Sequence, residues 1–421
     1  MIRQPASAAS RGHGETRNGV LGSQAALLLG VQWLFGVASA LSGTFVPVYL
    51  WKASQSYMLI GWFALGQYAL GGITFYIAGK WVKEHNKMNS LRLGIVLSGV
   101  FYFTVLMLGK QARYYGIPLG MLSGMALGFY WLAYNVVYFE ITEPDNRDRF
   151  NGIAGLLGST AGMIAPWISG LLITTLRGDR GYQLIFTLSL VVFGIAFILS
   201  FWLAKRKHVA APYEWTYGFR QLAQRGNPWR KMFAAIVAQG VREGVFMFLV
   251  GLVVYIATKD ESKLGSYTLF TSLVALVSFW FVGKKLNPRN RNKAMLAGTI
   301  MLGLFILPLF WKVSYSTLLM FGIGTALFLP LYIIPITSRV FDLIGQSEAS
   351  VKMREELIVL REAGLIAGRL IGLSAYLILL PLNDSPSAIV WLMFGVGIVP
   401  IAGWWFLRSF LKAEEPAGSR S

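Results

Sequence analysis

GKWVKEHNKMNSLRLG, residues 79–94, is a basic break between two long apolar runs. GKKLNPRNRNKAMLAG, residues 283–298, repeats it with Gly, Lys and Gly in register at an offset of 204. Two further echoes keep nearly the same spacing. Phe139-Glu140 answers Phe341-Asp342 at 202, and Gly158-xxx-Gly162 answers Gly364-xxx-Gly368 at 206. A repeat of this length in a 421-residue chain reads as two related halves. The paired glycines, with Pro166 and Gly170 further along the same run, have the small-residue spacing that lets helices pack closely in lipid.

Outward from these breaks the chain is a series of apolar blocks. It is 55% hydrophobic and 14% charged with a mean hydropathy of +0.56, too apolar for a water-solvated surface, which needs about a quarter charged residues. The blocks are of helix length and continuous, whereas a barrel strand would alternate over about 10 residues. They predict an all-α membrane protein with twelve spans near 22–50, 57–79, 90–109, 115–138, 152–176, 182–204, 232–257, 264–282, 294–311, 315–338, 358–381 and 387–410. The apolar run after Ala38 and Ala40 continues to Leu50, so the first block reads as an uncleaved span and not a signal peptide. Residues 1–21 and 411–421 read as tails and 205–231 as a connector between halves 22–204 and 232–410. The connector mixes Tyr213, Trp215, Tyr217 and Phe219 with basic residues, a composition suited equally to a membrane surface or a solvated linker.

The net charge of +19 has a topological explanation. Of the 38 Lys and Arg, 28 fall on one side of the twelve spans, 8 on the other and two, Arg242 and Arg369, within them. Positive charge is retained on the cytoplasmic side, so both termini are expected there, in a multi-pass cell-membrane protein with no nucleic-acid partner. There is no Cys, which excludes a thiolate site, and His13, His85 and His208 all lie in polar breaks, which argues against a buried imidazole cluster; cofactor chemistry has almost no material, and no metal or cofactor is expected.

At these residues the chain resembles the major facilitator superfamily, whose members have two six-helix halves and work by alternating access. The resemblance covers residues 22–410. It implies a cytoplasmic gate at Gly79 and Lys80, echoed by Gly283 and Lys284, with Asp342 closing the tenth span. The family's Asp position in the first of these loops holds Lys83, and the following Arg position holds Glu84, so the latch is altered. Glu140 and Arg147 look like the family's gate ion pair, and Gly152 to Gly170 like its span-five antiporter motif, though helix capping and packing would account for each equally well.

Ionisable side chains near the bilayer centre cost at least about 2.5 to 3.5 kcal/mol and mark candidate sites. Arg242 and Glu243 lie near the middle of the seventh span, and Glu362 and Arg369 share one face of the eleventh, seven residues apart. Adjacent helical residues point about 100° apart, so Glu243 is free to meet Arg369 and leave Arg242 as a cation for a substrate carboxylate or phosphate. An ion-pair network that only fixes packing is the alternative. By the resemblance the fourth span lines a central cavity, and Tyr134 with Asn135 joins the candidates, as do Gln32 and Gln239. Tyr130, Tyr134 and Tyr138 at helical spacing are equally a packing stripe.

With no G-x-x-x-x-G-K-[ST] segment the chain cannot itself use ATP in the manner of a P-loop protein. The expectation is a secondary transporter of a small organic solute, coupled to protons through Glu243 or Glu362, working as a monomer and possessing no enzyme activity. The span-five motif favours efflux of amphipathic compounds, whereas Arg242 favours an anion. A lipid or glycolipid flippase of the same fold and a non-transporting membrane sensor stand as alternatives.

Overall fold

A computed structural model describes residues 22–142, 144–176, 179–205, 212–286, 290–383 and 385–413, the side chains of 144–149, 151–152 and 412–413 excepted. Among these residues twelve helices are long and apolar enough to cross a membrane: Ser23–Ser54, Tyr57–Glu84, Lys87–Tyr114, Gly116–Ile141, Ile153–Thr175, Arg180–Trp202, Pro228–Thr258, Glu261–Lys285, Arg291–Phe310, Tyr315–Gly345, Arg354–Leu382 and Pro386–Leu411. We number them spans one to twelve. A short helix, Tyr217–Ala223, lies between spans six and seven.

The 204-residue repeat is written into the helix ends. Gln55 closes span one in the left-handed conformation, and Ser56 then caps span two by accepting from the Leu59 amide. At the same offset Lys259 closes span seven left-handed, and Asp260 caps span eight by accepting from the amides of Ser262 and Lys263. Asn86 and Asn290, again 204 apart, stand at the N-caps that open spans three and nine. Such capping meets the backbone donors that a helix start leaves orphaned.

The repeat also governs packing. Span one packs on five and six, two on four, and three on four and six. Seven packs on eleven and twelve, eight on ten, and nine on ten and twelve. Each of these first-half pairs recurs six spans later. The halves meet where two packs on eleven and where five packs on eight, contacts that exchange with each other under the same two-fold relation.

Several ends differ from those read in the sequence. Span two continues past Gly79 to Glu84, since Trp81 and Val82 prolong its apolar face and the helix stops only at the Asn86 cap. Gly79, Lys80 and Lys83 therefore sit on a helix and not in a loop. Span seven begins at Pro228, inside the stretch read as connector, where Asn227 accepts from the Trp229 amide and proline costs no hydrogen bond.

The paired glycines do unequal work. At Gly368 a Cβ would fall on the Val237 carbonyl oxygen, so spans seven and eleven touch backbone to backbone, and at Gly364 it would lie 3.0 Å from Ile236. Gly170 is similarly tight, with the Glu261 carbonyl 2.6 Å from a Cβ placed there. Gly158, by contrast, faces open space, and Gly162 has only Ser272 Oγ at 4.0 Å. The close approach of spans five and eight falls further along the helix, so Gly158 takes no part in it, and Gly162 meets span eight through the Ser272 hydroxyl, which donates to its carbonyl at 3.3 Å.

Candidate functional site

Spans two, four, seven, ten and eleven surround a cavity of about 470 Å³ at mid-bundle. The seventh span presents Gln239, Glu243 and Met247, one turn apart, and the eleventh presents Arg361, Glu362 and Arg369. Arg369 joins the two helices. Its Nη2 donates to Glu243 Oε2 at 3.1 Å and its Nη1 to Glu362 Oε1 at 3.0 Å. Gln239 Nε2 donates to the other Glu243 oxygen at 2.7 Å. One guanidinium thus lies between two carboxylates, and Tyr68, whose hydroxyl donates to the Gly244 carbonyl at 3.2 Å, ties span two to the same point. A recess of about 260 Å³ adjoins it on the side away from the basic breaks, sharing Gln67, Tyr68, Leu127 and Met247.

Arg242 is not part of this arrangement. Its neighbour Glu243 faces the cavity, so Arg242 turns into the second half, 5% exposed, with its guanidinium 4.5 Å from the Phe246 ring centre. Two of its nitrogens, Nε and Nη2, are buried without a hydrogen-bond partner among the described residues. Span four divides in the same way. Asn135 lines the cavity with Leu127 and Trp131 on one face. Tyr134 lies on another, donating to Gln32 Oε1 at 2.6 Å inside a ring stack with Tyr130 and Tyr138. Gln32 and Tyr134 therefore meet each other and not the cavity. The stripe is packing, continued by Phe35 stacked on Tyr130.

Gln67, Tyr68, Trp131 and Arg361 line the cavity without having been anticipated. Gln67, a polar side chain within an apolar span, carried a signal equal to that of Gln239. Arg361, counted among the basic residues at the start of the eleventh span, lies two turns inside it because the helix begins at Arg354, and it lines the cavity beside Glu362.

The basic end of the bundle, where Ser23 and Leu411 lie, is bridged between the halves. Lys83 Nζ meets Glu356 Oε1 at 2.5 Å with both side chains almost wholly buried. Glu140 receives Lys87 from within its own half and Arg354, at 3.4 Å, from the other. Arg147, expected as its partner, has its side chain outside the described residues. The connector lies over this bridge. The Tyr213 amide donates to Glu84 Oε1 at 3.4 Å and the Glu214 amide to Glu356 Oε1 at 3.1 Å. The Tyr213 ring lies so close to Gly79 that a Cβ there would come within 2.7 Å of its hydroxyl. Burial, then the charge of Glu356, pushes the Tyr213 hydroxyl pKa up, so it stays a neutral phenol.

The echo of this region in the second half is built differently. Gly283 faces open space, Lys284 lies over Trp280, and Asp342 pairs with Arg291 at 3.3 Å near the surface. Lys80, 3.9 Å from Glu84, is also a surface group. At the opposite end a second bridge joins the halves, with Lys52 donating to Glu261 at 2.9 Å and Tyr182 to the same oxygen at 3.0 Å.

A family model described as Major Facilitator Superfamily matches residues 28–350. The chain is 39% identical over 389 residues to Uncharacterized protein YqgE of Bacillus subtilis (strain 168), covering 92% of this chain and 90% of that one. Its fold is similar to that of a bacterial homologue of the iron transporter ferroportin in its outward-facing state, with a TM-score of 0.65 at 14% identity over 93% of this chain and 100% of the other. It is also similar to the human organic anion transporter MFSD10, with a TM-score of 0.63 at 13% identity over 92% and 100%. The twelve spans, the repeated packing of six upon six and these matches agree: the chain belongs to the major facilitator superfamily of membrane transporters.

Proposed function

We propose that the chain is a secondary transporter of a small organic solute, which it binds in the mid-bundle cavity and moves by rocking one half against the other, with proton movement through Glu243. The observation that carries this reading is Arg369 held between Glu243 and Glu362 on the cavity wall. Charged groups at this depth are costly unless they are used, and this set can exchange partners. A proton taken by Glu243 releases one arm of Arg369 to a substrate acceptor; loss of the substrate returns it. The bridges at both ends of the bundle, Lys83 to Glu356 and Lys52 to Glu261, are the contacts such a cycle would break alternately. The 28 basic residues on one side support placing that end in the cytoplasm of a cell-membrane protein. A monomer suffices, since the cavity is lined from within one chain.

The test is reconstitution in liposomes with an internal pH-sensitive dye and a panel of organic solutes. The wild type should give a solute-dependent proton flux. Glu243→Gln should retain solute exchange while losing the flux. Equal proton flux in both would remove Glu243 from coupling, and no exchange of any solute by the wild type would defeat the transport reading.

A further inference from the structure

On the outer flank of the bundle spans two and eleven part to form a recess of about 860 Å³. Small side chains make its floor, Ala69 from span two with Ala363 and Ala367 from span eleven, and Ile73 and Ile77, each more than half exposed, form a rim. Trp215 and Phe219 of the connector cover its basic end. Tyr76 holds that cover by donating to the Trp215 carbonyl at 3.1 Å. The lining is apolar apart from the Tyr76 hydroxyl, engaged by the Trp215 carbonyl, and one carboxylate, Glu362. Glu362, Phe75 and Ile366 line both this recess and the central cavity, so a single layer of side chains separates the membrane flank from the site.

We infer that this recess binds the hydrocarbon tail of a zwitterionic amphiphile resident in the bilayer, whose head group reaches the central cavity past Glu362. The inference deepens the transport reading and rests on it for the direction of movement, but not for occupancy. The tail is argued from the apolar walls and their exposed isoleucine rim, which only hydrocarbon would cover in a membrane. The head is argued from charge. Arg369 occupies Glu362 Oε1, while Oε2 has no hydrogen bond among the described residues. Arg361, its chain neighbour, lines the cavity and forms no ion pair among them. A free carboxylate oxygen and a free guanidinium so placed offer one acceptor for a cation and one donor set for an anion. With Glu243 ionised, the charged residues that line the cavity, Glu243, Glu362, Arg361 and Arg369, sum to zero, so in that state a head with net charge would leave a charge uncompensated at low dielectric.

The chain has no native cysteine, so a bimane at Asn135→Cys reports on the cavity alone and one at Val277→Cys, on the lipid-facing surface, serves as reference. The full chain in nanodiscs is titrated with lysophosphatidylcholine carrying a nitroxide near the head of its acyl chain. Saturable quenching is expected at Asn135→Cys and merely proportional quenching at Val277→Cys. Ala367→Trp and, separately, Ala363→Phe should raise the half-saturating concentration at least tenfold, with melting temperature and the reference signal showing that each variant is folded. Proportional quenching in the cavity, or saturation untouched by either filled recess, would overturn the inference. Equal saturation by the anionic lysophosphatidylglycerol analogue would overturn the choice of head. Saturation without any solute exchange would instead count against the transport reading and leave the recess as a lipid site.

Discussion

Replacing Glu356 by Gln should open the basic end of the bundle. Lys83 has no exposed side-chain surface and Glu356 only 2%, and their contact is 2.5 Å. Removing one partner of such a pair leaves a buried charge and costs about 3–5 kcal/mol. Gln can still accept from Lys83 and from the Glu214 amide, so the lower figure applies. The pair spans the two halves, and water relieves the cost only when spans two and eleven separate. If about half of the lower figure acts on that equilibrium, the open fraction rises roughly tenfold. The assay is the rate at which a membrane-impermeant maleimide modifies Asn135→Cys from the basic side, measured in an otherwise cysteine-free chain. Lys83→Met combined with Glu356→Leu should restore slow labelling, because an apolar pair of similar volume replaces a buried ion pair at little cost. Unchanged labelling in folded Glu356→Gln, or equally fast labelling in the double variant, would refute the reasoning.

Arg369→Met removes the cation that Glu243 and Glu362 share, and should abolish solute exchange and lower the melting temperature; wild-type exchange would show that the network only packs. Tyr134→Phe removes one hydrogen bond to Gln32, worth about 1 kcal/mol, and should leave exchange intact, whereas Trp131→Ala on the neighbouring face should alter it; the opposite pattern in a flux assay would return the tyrosine stripe to the site. Gly158→Ala should be neutral or stabilise the fifth span by about 0.5–1 kcal/mol from backbone entropy, while Gly368→Leu, whose side chain would meet the Val237 carbonyl, should prevent folding; thermal unfolding in detergent distinguishes them.

The spans were legible because lipid imposes a single requirement on every residue within them, and the repeat because Gly79 and Gly283 sit at the same turn of the fold. The pairing of Glu243 with Arg369 was legible too, since a charge at that depth needs a partner and few were available. What the sequence could not settle was which face of a helix meets the cavity. Tyr134 and Asn135 are adjacent and equally plausible, yet only Asn135 lines it, and the same 100° separates Arg242 from Glu243. In a membrane span both faces are apolar, so hydropathy carries no record of rotation. Gly158 misled for a related reason: small-residue spacing permits a close crossing but does not say where the neighbouring helix passes.

The presence of Lys83 and Glu84 where the pattern of the resembled family has Asp and Arg is resolved by what lies across the interface. Glu356 stands on span eleven, so the latch keeps its attraction with the sign reversed. That reversal ties the connector into the gate, because an acidic latch residue on span eleven can also accept the Glu214 amide, which a basic one could not. Among the described residues Gly283 faces open space and Lys284 lies over Trp280 on its own helix. Closure at this end engages spans two and four against span eleven, and spans two and eleven also frame the cavity charges and the lateral recess. Closure at the other end depends on span eight, where Glu261 collects Lys52 and Tyr182. In the Lys83–Glu356 and Lys52–Glu261 bridges the carboxylate lies in the second half and the cation in the first, while Glu140 and Arg354 join the halves in the opposite sense at the basic end. A rocking motion can then release one bridge and form the other without either half changing its internal packing.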